Sequence, residues 1–260
     1  MRILFAAWLI AIASLHAGWE AEVQAQSSGD FPDSPPFNAE YRLGWSEIEA
    51  AKAWVSVTRP DDMVCLNVIG GTYGTVRLLY QLDAMFMSLY RQPDFQTHRS
   101  DLVEIYSDRT LTTSIVGALG ELWSLSDSTR QGKSPAKWRR VKVVPARDLF
   151  AGMFFIRSQR LLAGDEISTV IFPGGAPFLV RVKSLGTEPI DVAGQTRDAI
   201  KIDLAIQRVN VKKGNILEPH DKFESGKIWI SNDSDRIPLR AEVNIFVGYV
   251  FAELVSFEKQ

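Results

Sequence analysis

Residues 232–236 (Asn-Asp-Ser-Asp-Arg) form the stretch of this sequence in which groups capable of chemistry stand closest together. Neighbouring carboxylates can bind Ca²⁺ or act as a catalytic acid and base. A calcium loop, however, requires a glycine at its sixth position and a carboxylate at its twelfth, and a loop starting at Asp233 would have Pro238 and Asn244 there. Asn, Asp and Ser also bond to the backbone of turns. The stretch is therefore predicted to be a turn that joins two strands.

Other reactive side chains are few and lie far apart in the sequence. His98 and His220 each lack a second histidine or cysteine three or four residues away, so a histidine-based zinc site is not expected. Cys65 is the only cysteine and has no partner for a disulfide within the chain. The Gly-x-Ser-x-Gly elbow of serine hydrolases does not occur. We therefore assign no catalytic residue, no metal ligand and no cofactor, and an enzyme is the least favoured interpretation.

Most of the chain alternates apolar and polar residues with a period of two, which is typical of strands that bury one face. The clearest example is 37–45, where Phe37, Ala39 and Tyr41 alternate with polar neighbours. Turn-forming residues separate the runs. The same pattern predicts strands at 50–57, 63–69, 95–105, 110–116, 121–125, 167–172, 178–184, 200–207, 227–230, 239–247 and 250–257.

Two segments have helical spacing instead. A helix is predicted from about Thr75, although 83–90 fits either a helix or a strand. A second helix follows Asp148, which can cap its start, and it is apolar nearly all round, so we expect it to be buried against the sheet. The predicted fold class is mainly β, with a curved antiparallel sheet or half-barrel and two short helices packed against it.

The first residues have the layout of a secretory signal. Arg2 precedes the apolar run 3–15, and small residues follow. Cleavage is predicted after Ala25, with Ala17 as the alternative. We thus expect a signal peptide at 1–25, a flexible leader at 26–36 and a single β-rich domain at 37–260, located in the periplasm or secreted, with no transmembrane anchor in the mature chain. The formal net charge of −2 argues against nucleic acid as a partner.

Aromatic residues provide the candidate binding site. A curled sheet with apolar helices on its concave side can enclose a cavity for a lipid or another hydrophobic small molecule of the cell envelope, or the same residues can simply fill the core. The alternative is a scaffold that docks an envelope protein, for which the cationic loop around Trp138, Arg139 and Arg140 is the candidate surface. The residues predicted to line the cavity are Trp45, Trp54, Tyr80, Phe150, Phe154, Phe155 and Trp229.

The C-terminal segment 226–257 resembles the signature of a family of exported bacterial proteins, the domain of unknown function numbered 3108. The shared pattern is a strand with an aromatic residue, a Ser/Asp-rich turn, Arg-Ile-Pro, a strand ending at glycine and a last strand ending in Glu-Leu. The residues that match are Trp229, Ser231, Asp233, Arg236, Ile237, Pro238, Gly248, Glu253 and Leu254.

Two further segments, 148–166 and 192–204, are similar to the same family, whereas 91–140 has little of the pattern. The resemblance implies a periplasmic, β-rich domain akin to the curved half-barrels of lipoprotein carriers. It implies no catalytic residues. Likeness of fold does not by itself specify a ligand.

Overall fold

Segments in which apolar and polar residues alternate form β-strands over most of the chain. A computed structural model describes residues 18–27, 35–118, 120–129, 136–142, 145–220, 223, 225–245 and 247–260. The strands are β1 (Phe37–Trp45), β2 (Ile48–Thr58), β3 (Met63–Thr72), β4 (Leu82–Arg91), β5 (Gln96–Tyr106), β6 (Thr110–Ala118), β7 (Glu121–Ser128), β8 (Lys137–Val141), β9 (Ala146–Arg147), β10 (Glu166–Ile171), β11 (Phe178–Val192), β12 (Gln195–Asn210), β13 (Ile216–Pro219), β14 (Ser225–Ser231), β15 (Pro238–Asn244) and β16 (Tyr249–Lys259).

Two α-helices interrupt this series, α1 (Gly74–Leu79) between β3 and β4 and α2 (Leu149–Arg157) between β9 and β10. Short 3₁₀ turns occur at Trp19–Glu22 and Val211–Lys213. The prediction of a mainly β fold is confirmed. Within the described residues, no helix is long and apolar enough to span a lipid bilayer.

All the strands belong to one sheet, in which most neighbours are antiparallel. From one edge the order runs from β8 back to β1, which pairs with the last strand, β16; it then continues through β15, β14, β12, β11 and β10 to β9, while β13 pairs with β12 off this path. The short strand β9 is parallel to β10. The sheet curls into a nearly closed barrel, so it has an inner face and an outer face.

Helix α2 fills the interior of the curled sheet. Its residues Phe154, Phe155 and Ile156 belong to a cluster of buried apolar side chains to which strands β1–β4, β10–β12 and β14–β16 contribute. Phe86 of β4 packs against this cluster, with its ring 4.6 Å from that of Phe150. Close packing of this kind leaves few voids as large as a water molecule. The space between sheet and helix is therefore a core.

A second buried cluster shows that the sheet overlaps itself. The inner face of β6 and β7 contributes Ile115 and Leu122, and these pack with Val170 of β10 and Leu179 of β11. The neighbouring residue Ile171 belongs to the first cluster, on the opposite face of β10. The strands β10 and β11 are therefore covered on both faces, because the β6–β8 end of the sheet wraps outside them.

A glycine allows this overlap to close. Gly174 lies between β10 and β11 with φ +92°, and a Cβ atom there would collide with the side chain of Thr113 on β6. Its carbonyl oxygen accepts a hydrogen bond of 2.7 Å from the Ser124 hydroxyl of β7. Glycine is the residue that adopts such a φ at no steric cost.

Two sequence expectations change in the structure. The helix predicted from Thr75 ends at Leu79, and the ambiguous segment 83–90 lies in strand β4, paired with β3 and β5. Part of the loop expected around 137–141 is strand β8, paired with β7. The reason is the same in both cases, because cross-strand hydrogen bonds and packing override local spacing. Residues 1–17 of the predicted signal peptide and 28–34 of the predicted leader lie outside the described part of the chain.

Candidate functional site

Four of the seven aromatic residues predicted to line a cavity lie in the core. Phe154 and Phe155 are buried, and Phe150 packs against the same cluster. Trp229 is buried as well, and its indole nitrogen donates a hydrogen bond of 2.7 Å to a Glu188 carboxylate oxygen. All four belong to the first buried cluster or pack against it, so they stabilise the fold.

The other three predicted residues are exposed. Trp54 of β2 is 52% exposed, and Trp45 lies at the far end of β1, where its indole nitrogen donates to the Val247 carbonyl oxygen. Tyr80 follows α1 and lies edge-on to the ring of Tyr106. The structure therefore does not bring the seven residues together around one cavity. Trp45 pairs with the exposed Ile48 and Val250, and Trp54 stands in a longer row of exposed apolar side chains that crosses the neighbouring strands.

The exposed neighbours of Trp54 form a row on the outer face. Trp54 pairs with Ile69 of β3, and Ile69 pairs with Met85 of β4. Ile105 of β5 is exposed on the same face. It lies two residues from Val103, the partner of Met85. We call Trp54, Ile69, Met85 and Ile105 the apolar strip. The inward residues that alternate with them, such as Val68, pack against the core.

Two depressions lie along the apolar strip. One, of about 620 Å³, is bounded by Trp54, Ile69 and residues of β1 and β16. The other, of about 400 Å³, is bounded by Trp54, Ile69, Met85 and Ile105. Gly71 lines the second depression without a side chain. A larger residue would not fit there, because its Cβ would meet an Asp83 carboxylate oxygen at 2.5 Å. The two depressions share Trp54 and Ile69.

Two charged residues that line the second depression, Lys52 and Asp83, are already paired. Lys52 lies 3.3 Å from a Glu40 carboxylate oxygen and 5.7 Å from the centre of the Tyr73 ring. Arg77 of α1 makes a two-pronged contact with Asp83, with both distances 2.7 Å. The Arg77 guanidinium holds the pKa of Asp83 below its usual value. Because these charges satisfy one another, the depressions are suited to an apolar occupant.

A row of charges continues on the outer face beyond Lys52. Glu253 of β16 is buried between Arg42 of β1, at 2.5 Å, and Arg240 of β15, at 2.8 Å. The contact with Glu253 raises the pKa of Arg42 above its usual value. Glu253 is one of the residues that match the family signature, and its position between two arginines gives it a structural role.

Helix α1 adds two projecting leucines next to the strip. Leu78 and Leu79 are 85% and 87% exposed, and no residue of α1 is buried. Exposed apolar residues are common singly, but a contiguous group indicates a binding surface. Sequence analysis did not single out the two leucines or Ile69, Met85 and Ile105. The available signal was the occurrence of apolar residues on both faces of β3 and β4, as in 85–87 (Met-Phe-Met).

The buried ionic groups serve the fold. One Asp148 carboxylate oxygen accepts hydrogen bonds from the Phe150 and Ala151 backbone N–H groups, and the other accepts from the Ser88 and Thr97 hydroxyls. Burial raises the pKa of Asp148, and these hydrogen bonds act in the opposite direction. Because both of its oxygens accept hydrogen bonds, this carboxylate anchors the start of α2 to strands β4 and β5.

Residues 232–236 are indeed a turn. One Asp233 carboxylate oxygen accepts hydrogen bonds from the Ser231 hydroxyl and from the backbone N–H groups of Asp235 and Arg236. The Asp235 carbonyl oxygen in turn accepts from Arg157 at the end of α2. Burial lowers the pKa of Arg157 to about 10, so it stays protonated at neutral pH. In the part of the chain that the structure describes, no group of three or more His, Cys, Asp or Glu residues could hold a metal ion.

Comparison with known proteins identifies relatives of the fold. A crystal structure of a "beta-barrel-like protein of domain of unknown function DUF1849" from Brucella abortus is similar with a TM-score of 0.53 and 8% identity, over 88% of this chain and 99% of that one. A likeness at this identity concerns the fold alone. No curated protein matches the chain.

Two other solved structures match less well. One is a "putative lipoprotein" from Parabacteroides distasonis, with a TM-score of 0.35 and 9% identity over 88% of this chain and 97% of that one. The other is a "putative exported protein with YmcC-like fold" from Bacteroides fragilis, with a TM-score of 0.34 and 8% identity over 91% of this chain and all of that one, 100%. The model of one family, described as "Protein of unknown function (DUF3108)", matches residues 40–255. This chain therefore belongs to the DUF3108 family, as the C-terminal signature predicted.

Proposed function

We propose that this chain is an exported, non-catalytic binding protein that takes the acyl chain of an envelope lipid on its apolar strip. The observation that carries the proposal is the grouping of Trp54, Ile69, Met85 and Ile105 on four consecutive strands around two shared depressions. Soluble proteins seldom expose apolar side chains in contiguous rows without a partner.

The size and chemistry of the depressions favour an acyl chain. Their volumes of about 620 and 400 Å³ fall within the range of small-molecule sites. The neighbouring charges of Lys52 and Asp83 are paired with Glu40 and Arg77. A polar ligand would have to replace these contacts, whereas an alkyl chain would only cover apolar surface, at a gain of roughly 25 cal/mol per Å².

The interior is a less suitable place for the ligand. Phe154 and Phe155 of α2 fill it, and Tyr90 and Phe95 pack against them with ring centres about 6 Å apart. Binding an acyl chain there would require α2 to leave the barrel, and the buried contacts of Asp148 and Arg157 would be lost. The outer face needs no such rearrangement.

A matched pair of variants tests the site. We expect Ile69→Asp to weaken the binding of a fluorescent fatty acid at least tenfold, because burying one isoleucine contributes roughly 1.5–3 kcal/mol. Ile216→Asp is the control, since Ile216 is an exposed isoleucine on β13, away from the strip. Equal binding by both variants and the unmodified protein would rule out the strip as the site.

The outer edge of the sheet is a second candidate site, for an envelope protein. Strand β8 lies at an edge, and its Trp138 is 70% exposed. Edge strands can accept a further strand from a partner. Arg140 already pairs with Glu121 and lies over the Trp123 ring. A photo-crosslinking residue in place of Trp138 should then give a discrete protein adduct in cells; its absence would remove this candidate.

A further inference from the structure

The segment 18–27 is bound to the barrel as part of the fold. Val23 forms a parallel β-bridge with Ser168 of β10. The Gln24 backbone N–H donates to the Ser168 carbonyl oxygen at 3.0 Å, and the Ser168 N–H donates to the Gln24 side-chain oxygen at 2.6 Å. This segment therefore continues the edge pairing that β9 begins at Val170 and Ile171.

Loss of the segment would leave the edge of β10 open. Strand β9 covers only two residues of that edge, and Ser168 is buried. The backbone N–H and C=O groups of Ser168 would lose their partners. Uncovered edge strands are also sites of unwanted pairing between chains.

A buried arginine depends on the same segment. The Arg147 side chain is wholly buried, with its guanidinium 3.6 Å from the centre of the Phe155 ring. It donates hydrogen bonds to the Ala25 carbonyl oxygen at 2.8 Å and the Gln24 carbonyl oxygen at 3.5 Å, besides the Asp94 carbonyl oxygen. Without the segment, the guanidinium would keep the Asp94 carbonyl oxygen and the Thr169 hydroxyl but lose its other two acceptors, and buried donors that lose acceptors destabilise the fold.

Apolar and ionic contacts complete the docking. Trp19 and Val23 pack against the second buried cluster, where β6–β8 overlap β10–β12. The Trp19 indole nitrogen donates to the Asn215 carbonyl oxygen at 2.8 Å, and Arg181 pairs with Glu22 at 2.8 Å. A chain that begins at Gln26 would lack every one of these contacts.

We infer that the signal peptide is removed between Ala17 and Gly18, so that the mature protein keeps the docked segment 18–27. Ala17 and Ala25 are both small enough for the position directly before the cut; two residues earlier, Val23 suits a cut after Ala25, whereas Leu15 is larger than the residue preferred there for a cut after Ala17. Hydrolysis adds water across the amide, leaving a carboxylate on Ala17 and an amine on Gly18. The inference rests on the export stated in the proposed function, and it replaces Ala25 with the other site that the sequence allows.

The test uses residues 1–260, with the predicted signal peptide in place, expressed in a Gram-negative host. Intact mass and N-terminal sequencing of the periplasmic product should give Gly18 as the first residue. An exported product that begins at Gln26 would overturn this inference alone. A chain that keeps Met1 and stays in the cytoplasm would overturn both this inference and the proposed export.

Two matched variants sharpen the result. Ala17→Leu should block cleavage and accumulate the precursor, because the peptidase requires a small residue before the cut. Ala25→Leu should leave the product unchanged, and the exposed position of Ala25 allows the larger side chain. The reverse pattern, in which Ala25→Leu alone blocks processing, would refute cleavage at Gly18.

Discussion

At the scale of single residues, the polar groups that looked chemical in the sequence hold the backbone in place. Asp233 was predicted to form a turn, and Asp148 to cap a helix, because both roles depend on backbone groups two or three residues away. The contact of Arg157 with Asp235 joins residues 78 apart in the sequence. No local pattern specifies such a contact, so the sequence could not predict it.

The cap of α2 gives the first prediction. Asp148→Ala should lower the free energy of unfolding by about 2–4 kcal/mol, because the helix loses its cap and two buried hydroxyls lose an acceptor. Asp165→Ala is the control: Asp165 also accepts from a backbone N–H, that of Leu162, but its partner Arg160 is exposed. Urea denaturation compares the two. Equal losses would show that burial of the cap does not matter.

A partly buried tyrosine gives a prediction on pH. Burial raises the pKa of Tyr41, whose hydroxyl donates to the Pro238 carbonyl oxygen at 2.9 Å. The unfolded chain ionises this tyrosine near pH ~10, whereas the folded chain keeps it neutral to higher pH. Its contribution to stability is therefore complete below pH ~10 and declines above it, by at most about 1.4 kcal/mol per pH unit.

The variant Tyr41→Phe separates the contribution of the Tyr41 hydrogen bond from that of its ionisation. It should cost about 1 kcal/mol at pH ~8 through the lost hydrogen bond, but its stability should fall less steeply above pH ~10. Urea midpoints measured at both pH values report this, with the half-exposed Tyr80→Phe as the control. An unchanged alkaline slope in Tyr41→Phe would contradict the assignment.

At the scale of elements, segments whose apolar residues repeat clearly were predicted, and ambiguous ones were not. Helix α2 is apolar nearly all round, and the structure buries it in the centre of the barrel. Strand β4 has apolar residues on both faces, since its inner face meets the core and its outer face forms part of the apolar strip. That double coverage removes the alternation by which a strand is distinguished from a helix.

The fit of α2 against β10 gives the next prediction. A Cβ on Gly152 would approach two carbon atoms of the Ile171 side chain, at 2.8 and 2.9 Å. Gly152→Ala should therefore destabilise the protein by about 1–3 kcal/mol, although alanine favours helices. Adding Ile171→Val removes one of those carbons, so the double variant should recover part of the loss. A double-mutant cycle with no coupling would contradict the contact.

At the scale of the whole molecule, the sheet curls around helix α2 until its two ends overlap. The sequence predicted a curved sheet because the strands are short, regular and one-sided. It could not predict that β6–β8 cover the outside of β10 and β11, since this depends on register and curvature summed over the whole sheet. For the same reason the sequence predicted that the seven aromatic residues line one cavity, whereas the folded chain divides them between core and surface.

The central claim is that an acyl chain binds to the outside of the barrel. A dibrominated fatty acid, which quenches tryptophan fluorescence on contact, tests this claim most directly. We predict that it quenches the unmodified protein, that Trp54→Phe abolishes the quenching, and that Trp45→Phe preserves it, because Trp45 pairs with Ile48, about 20 Å along β2 from Trp54. Quenching that persists unchanged in Trp54→Phe would contradict the account.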